Sequence, residues 1–387
     1  MAALAVTTKD SIDGSALARA IAADTADVVV DTAVDAAAVA DVVDDDKLQL
    51  EVDECLSEER LLDAHRAYVA AEPAARSTLD APSIKVLTET ASTAERWMTA
   101  LKETPSEESG WCRQRSALAS TASSVLASMS ALGLSSLTSL SRSSSSEKPL
   151  ATGPGRTRIY YRCETNTLTV RVETVIGSDL LVPLLSVLNE SELYHEWLPR
   201  WTTPMRLGVR DSVKVDQVGR CTQLVVITAD CPWPLETRQV VLDARAFDDM
   251  RTSGDIGVLL QSRDCKDDAR VPETPEDMTR IDVEGAFLFR RVPEAWNEQP
   301  GEDPCAIDDG DILVTFGFEV DPKLDLIPNW LLNFIVRTVI GSLWGAFIRV
   351  AEEVRDGKRP VHAKAIEAKR AQLYDWIDER IQQMFQD

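Results

Sequence analysis

Three histidines stand in the 387-residue sequence, His65, His195 and His362, and none has a serine or cysteine set beside it as a nucleophile. Nucleophilic catalysis needs a base within hydrogen-bond reach of the attacking atom, and no G-x-S-x-G elbow, phosphate-cradling loop or G-x-G-x-x-G turn is present. All three histidines therefore read as surface or capping residues. Seven cysteines, at 55, 112, 163, 221, 231, 265 and 305, are scattered without C-x-x-C spacing. H-x-x-x-H and H-E-x-x-H are also absent, so neither a zinc site nor any other metal or cofactor is expected. An odd, dispersed set of cysteines fits a reducing compartment better than a disulfide framework. Carboxylates are plentiful enough to supply an acid and base pair, yet they cluster in loops and tails, where charge runs solvate a surface. The residue types point to binding, with catalytic residues set at none.

Acidic residues outnumber basic ones 64 to 41, a formal charge of −23. Nucleic acid requires a basic surface to neutralise phosphates, and no basic stripe exists, so it is excluded as a partner. The same charge disfavours a broad electrostatic grip on anionic membranes, so any bilayer contact should be local, apolar and transient. The N-terminus lacks a basic region followed by an apolar core. A cytoplasmic protein, peripheral at membranes if it meets them, is the expectation.

The elements that would position a binding site lie late in the chain. Asp321 to Val350 reads DPKLDLIPNWLLNFIVRTVIGSLWGAFIRV, with Pro328 near the start of a helical pattern, where its missing N–H does least harm. Leu332, Val336, Val339, Leu343, Phe347 and Val350 recur at spacings of three and four and draw one apolar stripe. Arg337 and Arg349 cut the uncharged run short of the roughly 20 residues a membrane span needs. The spacing predicts a long helix packed on a sheet. Just upstream, Ile312, Val314, Phe316, Phe318 and Val320 alternate with Leu313, Thr315, Gly317 and Glu319, a strand with one greasy face. Ile281, Val283, Gly285, Phe287 and Phe289 do the same near 280–292.

Strand, Asp-Pro turn and long final helix resemble the end of the START lipid-binding family, which has a similar DP…IP turn. Cys231–Leu242, CPWPLETRQVVL, is similar to that family's proline-aromatic-proline turn, and Asn189–Pro199, NESELYHEWLP, to its short acidic-aromatic helix. The three matches keep family order over about residues 156 to 355. The resemblance implies an α+β helix-grip fold, a curved antiparallel sheet wrapped on a long C-terminal helix that roofs a lipid cavity. Candidate lining residues are Leu332, Val336, Val339, Leu343 and Phe347 on the helix, with Phe287, Phe289, Phe316 and Phe318 on strands. One departure stands out. Some relatives carry a basic residue six positions after the arginine of the proline turn; counting from Arg238, that place holds Ala244, and Arg245 should face the other way. The headgroup contact does not carry over, and Arg238 reads as structural.

Around this START-like region, 156–357, the chain divides further. Residues 1–47 carry ten aspartates and three basic residues and read as an acidic, disordered tail. Residues 48–110 read as a helical hairpin broken at Pro73 and Pro82, packed on the main domain or binding a protein partner. Residues 111–155 hold fourteen serines between 116 and 146. They read either as a flexible linker or, over Leu118–Leu140, as an amphipathic helix for loosely packed bilayers. Leu168 to Ile176 alternates as a half-buried strand, residues 178–189 read as a helix, and acidic loops near 264–279 and 293–311 read as surface insertions. Residues 358–387 form an accessory helix that either packs on the hairpin or mediates dimerisation. The expected function is binding of one lipid or other hydrophobic molecule, with transfer or sensing between membranes. The rivals are a ligand-gated interaction module and a helix-grip cyclase.

Overall fold

The computed structural model describes residues 36–77, 79–114, 156–164, 167–201, 206–231, 235–266, 268–298, 305–323 and 335–386. Residues from Lys47 to Asp387 make one compact unit. Of the preceding unit, Met1–Asp46, only helical backbone from Ala36 onward is described. The acidic tail to Asp35, the serine-rich stretch with Leu118–Leu140, and Leu332 with its Pro328 turn lie outside the described residues.

One antiparallel sheet dominates. Its strands are β1 (Cys112–Arg113), β2 (Thr157–Cys163), β3 (Leu168–Gly177), β4 (Arg200–Trp201), β5 (Leu207–Val218), β6 (Thr222–Asp230), β7 (Thr237–Asp249), β8 (Asp255–Ser262), β9 (Met278–Arg280), β10 (Asp282–Arg291) and β11 (Asp311–Asp321). They run in the order β1-β2-β3-β11-β10-β8-β7-β6-β5-β4, with β9 laid parallel against β7. In the middle, Phe287 faces Phe316 across one strand pair and Val258 across the next. Because side chains alternate along a strand, this register sends Val172, Phe316, Phe287 and Val258 to one face and Arg171, Gly317, Ala286 and Leu259 to the other.

Helices cover both faces. On the outer one lie the part of α1 (Ala36–Ser57) from Lys47 onward, α2 (Leu61–Ala70) and α3 (Ala81–Lys102), the last capped by Asp80 accepting from the Ser83 amide at 3.0 Å. Leu87, Ala91, Ala94, Trp97, Met98 and Leu101 of α3 share an apolar cluster with Phe247, Leu259, Ala286 and Leu288 of the sheet. On the inner face lie α4 (Leu181–Asn189), the single turn α5 (Tyr194–Trp197) and α6 (Gly341–Arg355), which continues a π-helical turn at Ile335–Ile340. At the C-terminus follow α7 (Pro360–Lys369) and α8 (Asp375–Met384).

An antiparallel sheet with the long late helix on its inner face is the α+β arrangement that the START resemblance implies. Three readings change. β3 is buried on both faces, not one, because Arg171 reaches the end of α3 and Glu173 is buried beside it as its partner. The acidic loops are not plain surface insertions. Val271 tucks against Leu224, Val226 and Val241, and Trp296 against Val175 and Leu313, so each loop covers outer-face strand surface. His362 is fully buried, whereas His195 is exposed and His65 half-buried.

Candidate functional site

Between the inner sheet face and α6 lies a cavity of about 320 Å³. The sheet supplies Val172, Val225, Ile227, Leu242, Ala244, Val258, Leu260, Val283, Phe287, Phe316 and Phe318; α4, α5 and the residue after it supply Leu188, Tyr194, Trp197 and Leu198; the final helix supplies Ile340, Leu343, Trp344 and Phe347. None of these described lining side chains is charged.

One wall is an aromatic stack. The Phe287 and Phe316 rings lie 4.1 Å apart at 11°, and Phe316 meets Phe318 at 5.0 Å. Trp344 stacks 6.2 Å from Phe316 and leans on Phe347 at 5.4 Å. Phe347 in turn stacks on Trp197 at 6.1 Å, and Trp197 takes the Tyr194 ring edge-on at 5.8 Å. Offset and edge contacts of this kind add to the gain from burial and hold rings in place.

The polar atoms of the wall are mostly spent. The Trp344 indole N–H donates to Thr174 Oγ1 at 2.6 Å, which ties the helix to β3. The Tyr194 hydroxyl donates to the Leu188 carbonyl at 2.6 Å, and burial pushes its phenol pKa up, so it stays a neutral donor. The Trp197 indole nitrogen is buried and has no hydrogen-bond partner among the described residues.

Leu343, Phe347, Phe287, Phe316 and Phe318 stand on the cavity wall. Phe289 and Val336 are instead buried in the packed core beside it, Phe289 stacked 6.1 Å from Phe287. Val339 is half-buried and not on the wall. The helix face that meets the hollow is Ile340, Leu343, Trp344 and Phe347, spaced i, i+3, i+4, i+7. The stripe read from sequence tracks one side of it and misses Ile340 and Trp344. Ala244 lies on the wall, and Arg245 points to the outer face beside Leu56 and Leu87. Arg238 is buried and donates to the Glu236 carbonyl at 3.0 Å, a contact within its own strand start. Alternation in β6 held the signal for Val225 and Ile227, which the sequence reading did not use.

Other chemistry is sparse. Among the described residues no group of three or more His, Cys, Asp or Glu is placed to hold a metal ion, and all seven cysteines are unpaired. Among the described residues no helix is long and apolar enough to cross a membrane.

No family model matches the chain, and no curated protein matches it. Solved structures do. Human STARD10 is similar at 10% identity over 74% of this chain and 86% of that one, with a TM-score of 0.43. Human StAR-related lipid transfer protein 5 is similar at 11% identity over 70% and 98%, with a TM-score of 0.44. A STAR-related lipid transfer protein from Xanthomonas axonopodis is similar at 20% identity over 52% and 97%, with a TM-score of 0.36.

Proposed function

We propose that this START-like chain holds one hydrophobic lipid molecule in the cavity between its sheet and its final helix, and transfers or senses it between membranes. The observation that carries the reading is the hollow itself: a wall of uncharged side chains from six strands and the helix, where a solid core would have been the simpler way to bury them. Proteins pack interiors to near crystalline density, so an apolar hollow of this size leaves its wall facing water or empty space unless a guest fills it. An apolar guest makes contacts there and leaves water at the same time.

Binding rather than turnover is the activity this lining supports. The wall offers an incoming molecule area and shape, with no charged side chain, imidazole or thiol among its described members to move a proton or attack a carbonyl. Exchange then needs only that α6 and its neighbours loosen at a bilayer, where the guest passes from one apolar surrounding to another. In this reading the bilayer contact falls to apolar residues such as those of Leu118–Leu140, since the net charge of −23 opposes anionic surfaces.

Vesicle-to-vesicle transfer of a fluorescent lipid tests the proposal. Wild type should speed transfer, and Leu343→Asp, which puts a carboxylate on the wall, should lower the rate about a hundredfold while circular dichroism stays unchanged. Equal rates with and without wild-type protein would refute carriage, and full activity of Leu343→Asp would refute the cavity as its seat.

A further inference from the structure

One corner of the sheet carries the sign that the chain as a whole lacks. Where β4, β5 and β6 meet, the buried carboxylate of Asp230 has Arg206 Nε at 2.8 Å, with Arg200 and Arg210 each at 3.6 Å. The Arg200 and Arg206 side chains are 47% and 60% exposed, so their guanidiniums are open to a ligand from solvent. Resting on the proposed carriage between membranes, we infer that this corner meets the bilayer and grips the phosphate of an anionic phospholipid headgroup.

Three observations carry it. First, the corner holds more donors than it can use. A carboxylate accepts about four hydrogen bonds, while three guanidiniums offer about fifteen. Only Arg206 bonds Asp230 directly, and no other carboxylate among the described residues pairs with any of the three. Asp211, on the same face, accepts from the Ser212 amide at 2.9 Å. Three cations thus stand against two anions, on a chain of formal charge −23.

Second, the cluster faces outward. Val225 and Ile227 stand on the cavity wall, so alternation puts Asp230 on the opposite face of β6, and Gly208 and Arg200 share its row across the ladder. The guanidiniums therefore serve a ligand outside the cavity, not the guest within it.

Third, the corner lies at the end of the sheet toward which the cavity extends. The end of β6 at Asp230 is also where β8 finishes at Ser262, β10 starts at Asp282 and β11 finishes at Asp321. Val283 and Phe318 bring the wall close to that end, whereas Ile256, Phe289 and Ile312 pack the other end solid. A guest leaves by the end that is not packed, which turns that end to the bilayer. Lys323, also there, is shared between Asp282 and Asp321. The forked N–H groups of arginine match phosphate oxygens two at a time. In sequence, Trp201 follows Arg200 and Trp233 follows Asp230 closely, a residue type that settles at membrane surfaces. The corner adds a short-range polar grip to the apolar bilayer contact.

Flotation of the full chain with vesicles of dioleoylphosphatidylcholine, alone or mixed with dioleoylphosphatidylglycerol, tests this. Wild type should favour the mixed vesicles, and less so as sodium chloride rises. Arg200→Gln with Arg206→Gln leaves Arg210 beside Asp230 and should weaken binding to mixed vesicles about thirtyfold, the worth of two arginines at an anionic surface. Arg200→Gln alone takes no hydrogen bond from Asp230 and should weaken it about fivefold; it decides the matter if the double variant does not fold. Variants that float as wild type does, or a wild type indifferent to phosphatidylglycerol, overturn the inference. So does release by inorganic phosphate beyond that by chloride at equal ionic strength, which would make the corner a site for free phosphate. Transfer of a fluorescent lipid between phosphatidylcholine vesicles is read in parallel. A wild type that transfers lipid yet ignores phosphatidylglycerol overturns this inference alone; one that transfers none overturns carriage, and this inference with it.

Discussion

At the scale of single residues, the chain separates side chains that make a hollow from side chains that fill a core. Phe287 and Phe289 are two positions apart on β10 and both face inward, yet Phe287 borders the cavity and Phe289 is packed solid. Phe289→Ala should therefore lower stability by about 3–5 kcal/mol in urea unfolding, the usual figure for truncating a buried phenylalanine. Phe287→Ala, beside space already empty, should lose less.

His362 gives a second test at this scale. It is fully buried, neither ring nitrogen has a hydrogen-bond partner among the described residues, and burial, aided by the Arg359 charge, holds its pKa below the ordinary histidine value. Glu190 and Glu196 pull the other way without prevailing. Between the ordinary value of about 6.5 and the lowered one, the unfolded chain binds a proton that the folded chain refuses. The stabilising contribution is thus complete above about pH 6.5 and is lost as pH falls through that window. Urea midpoints measured from about pH 7.5 to pH 5 should fall more steeply for wild type than for His362→Gln; parallel slopes would contradict the assignment. Nothing in the sequence marked this histidine as buried, since its neighbours Lys358, Arg359 and Lys364 are those of a surface helix. Its burial comes from the partners that α7 finds in three dimensions.

At the scale of elements, the join between α3 and the sheet is apolar along the helix and polar at its C-terminal end. Arg171 donates from Nε to Glu173 at 2.7 Å, from Nη1 to the Ala100 carbonyl at 2.8 Å and from Nη2 to the Leu101 carbonyl at 2.7 Å. One buried guanidinium thus satisfies the end of a helix and one oxygen of the carboxylate beside it on the strand. Gly317 makes the close approach possible, because a Cβ there would lie 2.5 Å from Leu101 Cδ2 and 3.1 Å from Trp97 Cζ3. Arg171→Met leaves Glu173 as an unpaired buried charge and should cost about 3–5 kcal/mol, whereas Arg171→Met with Glu173→Leu should recover most of the loss. Urea unfolding of the two variants decides it; a double variant no better than the single one would contradict the reading.

These same residues show how far the sequence could be read. The period-two alternation of β3, β10 and β11 was plain, because apolar inward positions repeat without a break. That the outward positions Arg171 and Glu173 were buried too was not plain, since their polarity signals solvent unless the helix that satisfies them is known. On α6 the stripe was visible, but its extent depends on where the sheet curves, and Ile340 and Trp344 lay just beyond it. Register between β3 and the helix, fixed by the Trp344–Thr174 bond, is a long-range fact that local spacing does not encode.

At the scale of the whole molecule, the C-terminal arm completes the grip. Lys369 meets both Glu190 oxygens at 2.8 Å and the Tyr374 hydroxyl donates to the same carboxylate at 3.0 Å. Arg380 pairs with Asp248 at 2.6 Å, lies 3.4 Å over the Trp376 ring, and donates to the Glu58 carbonyl at 3.2 Å. Leu373, Tyr374, Ile377 and Met384 belong to the same apolar core as Phe287 and Phe347. Of the two sequence readings for this segment, the structure has it packed within the chain, touching the turn after α1 through Glu58. Ending the chain after Gly357 should lower stability by on the order of 5 kcal/mol, the loss of four largely buried side chains, and should quicken leakage of a bound probe.

All of this turns on the space beneath α6 having an occupant. Native mass spectrometry of the purified full chain after exposure to a lipid extract is the most direct measurement. One hydrophobic molecule per chain, present in wild type and lost in Leu343→Asp, is the expected result. A wild-type spectrum showing only the bare chain mass, from protein that is folded by circular dichroism, would contradict it.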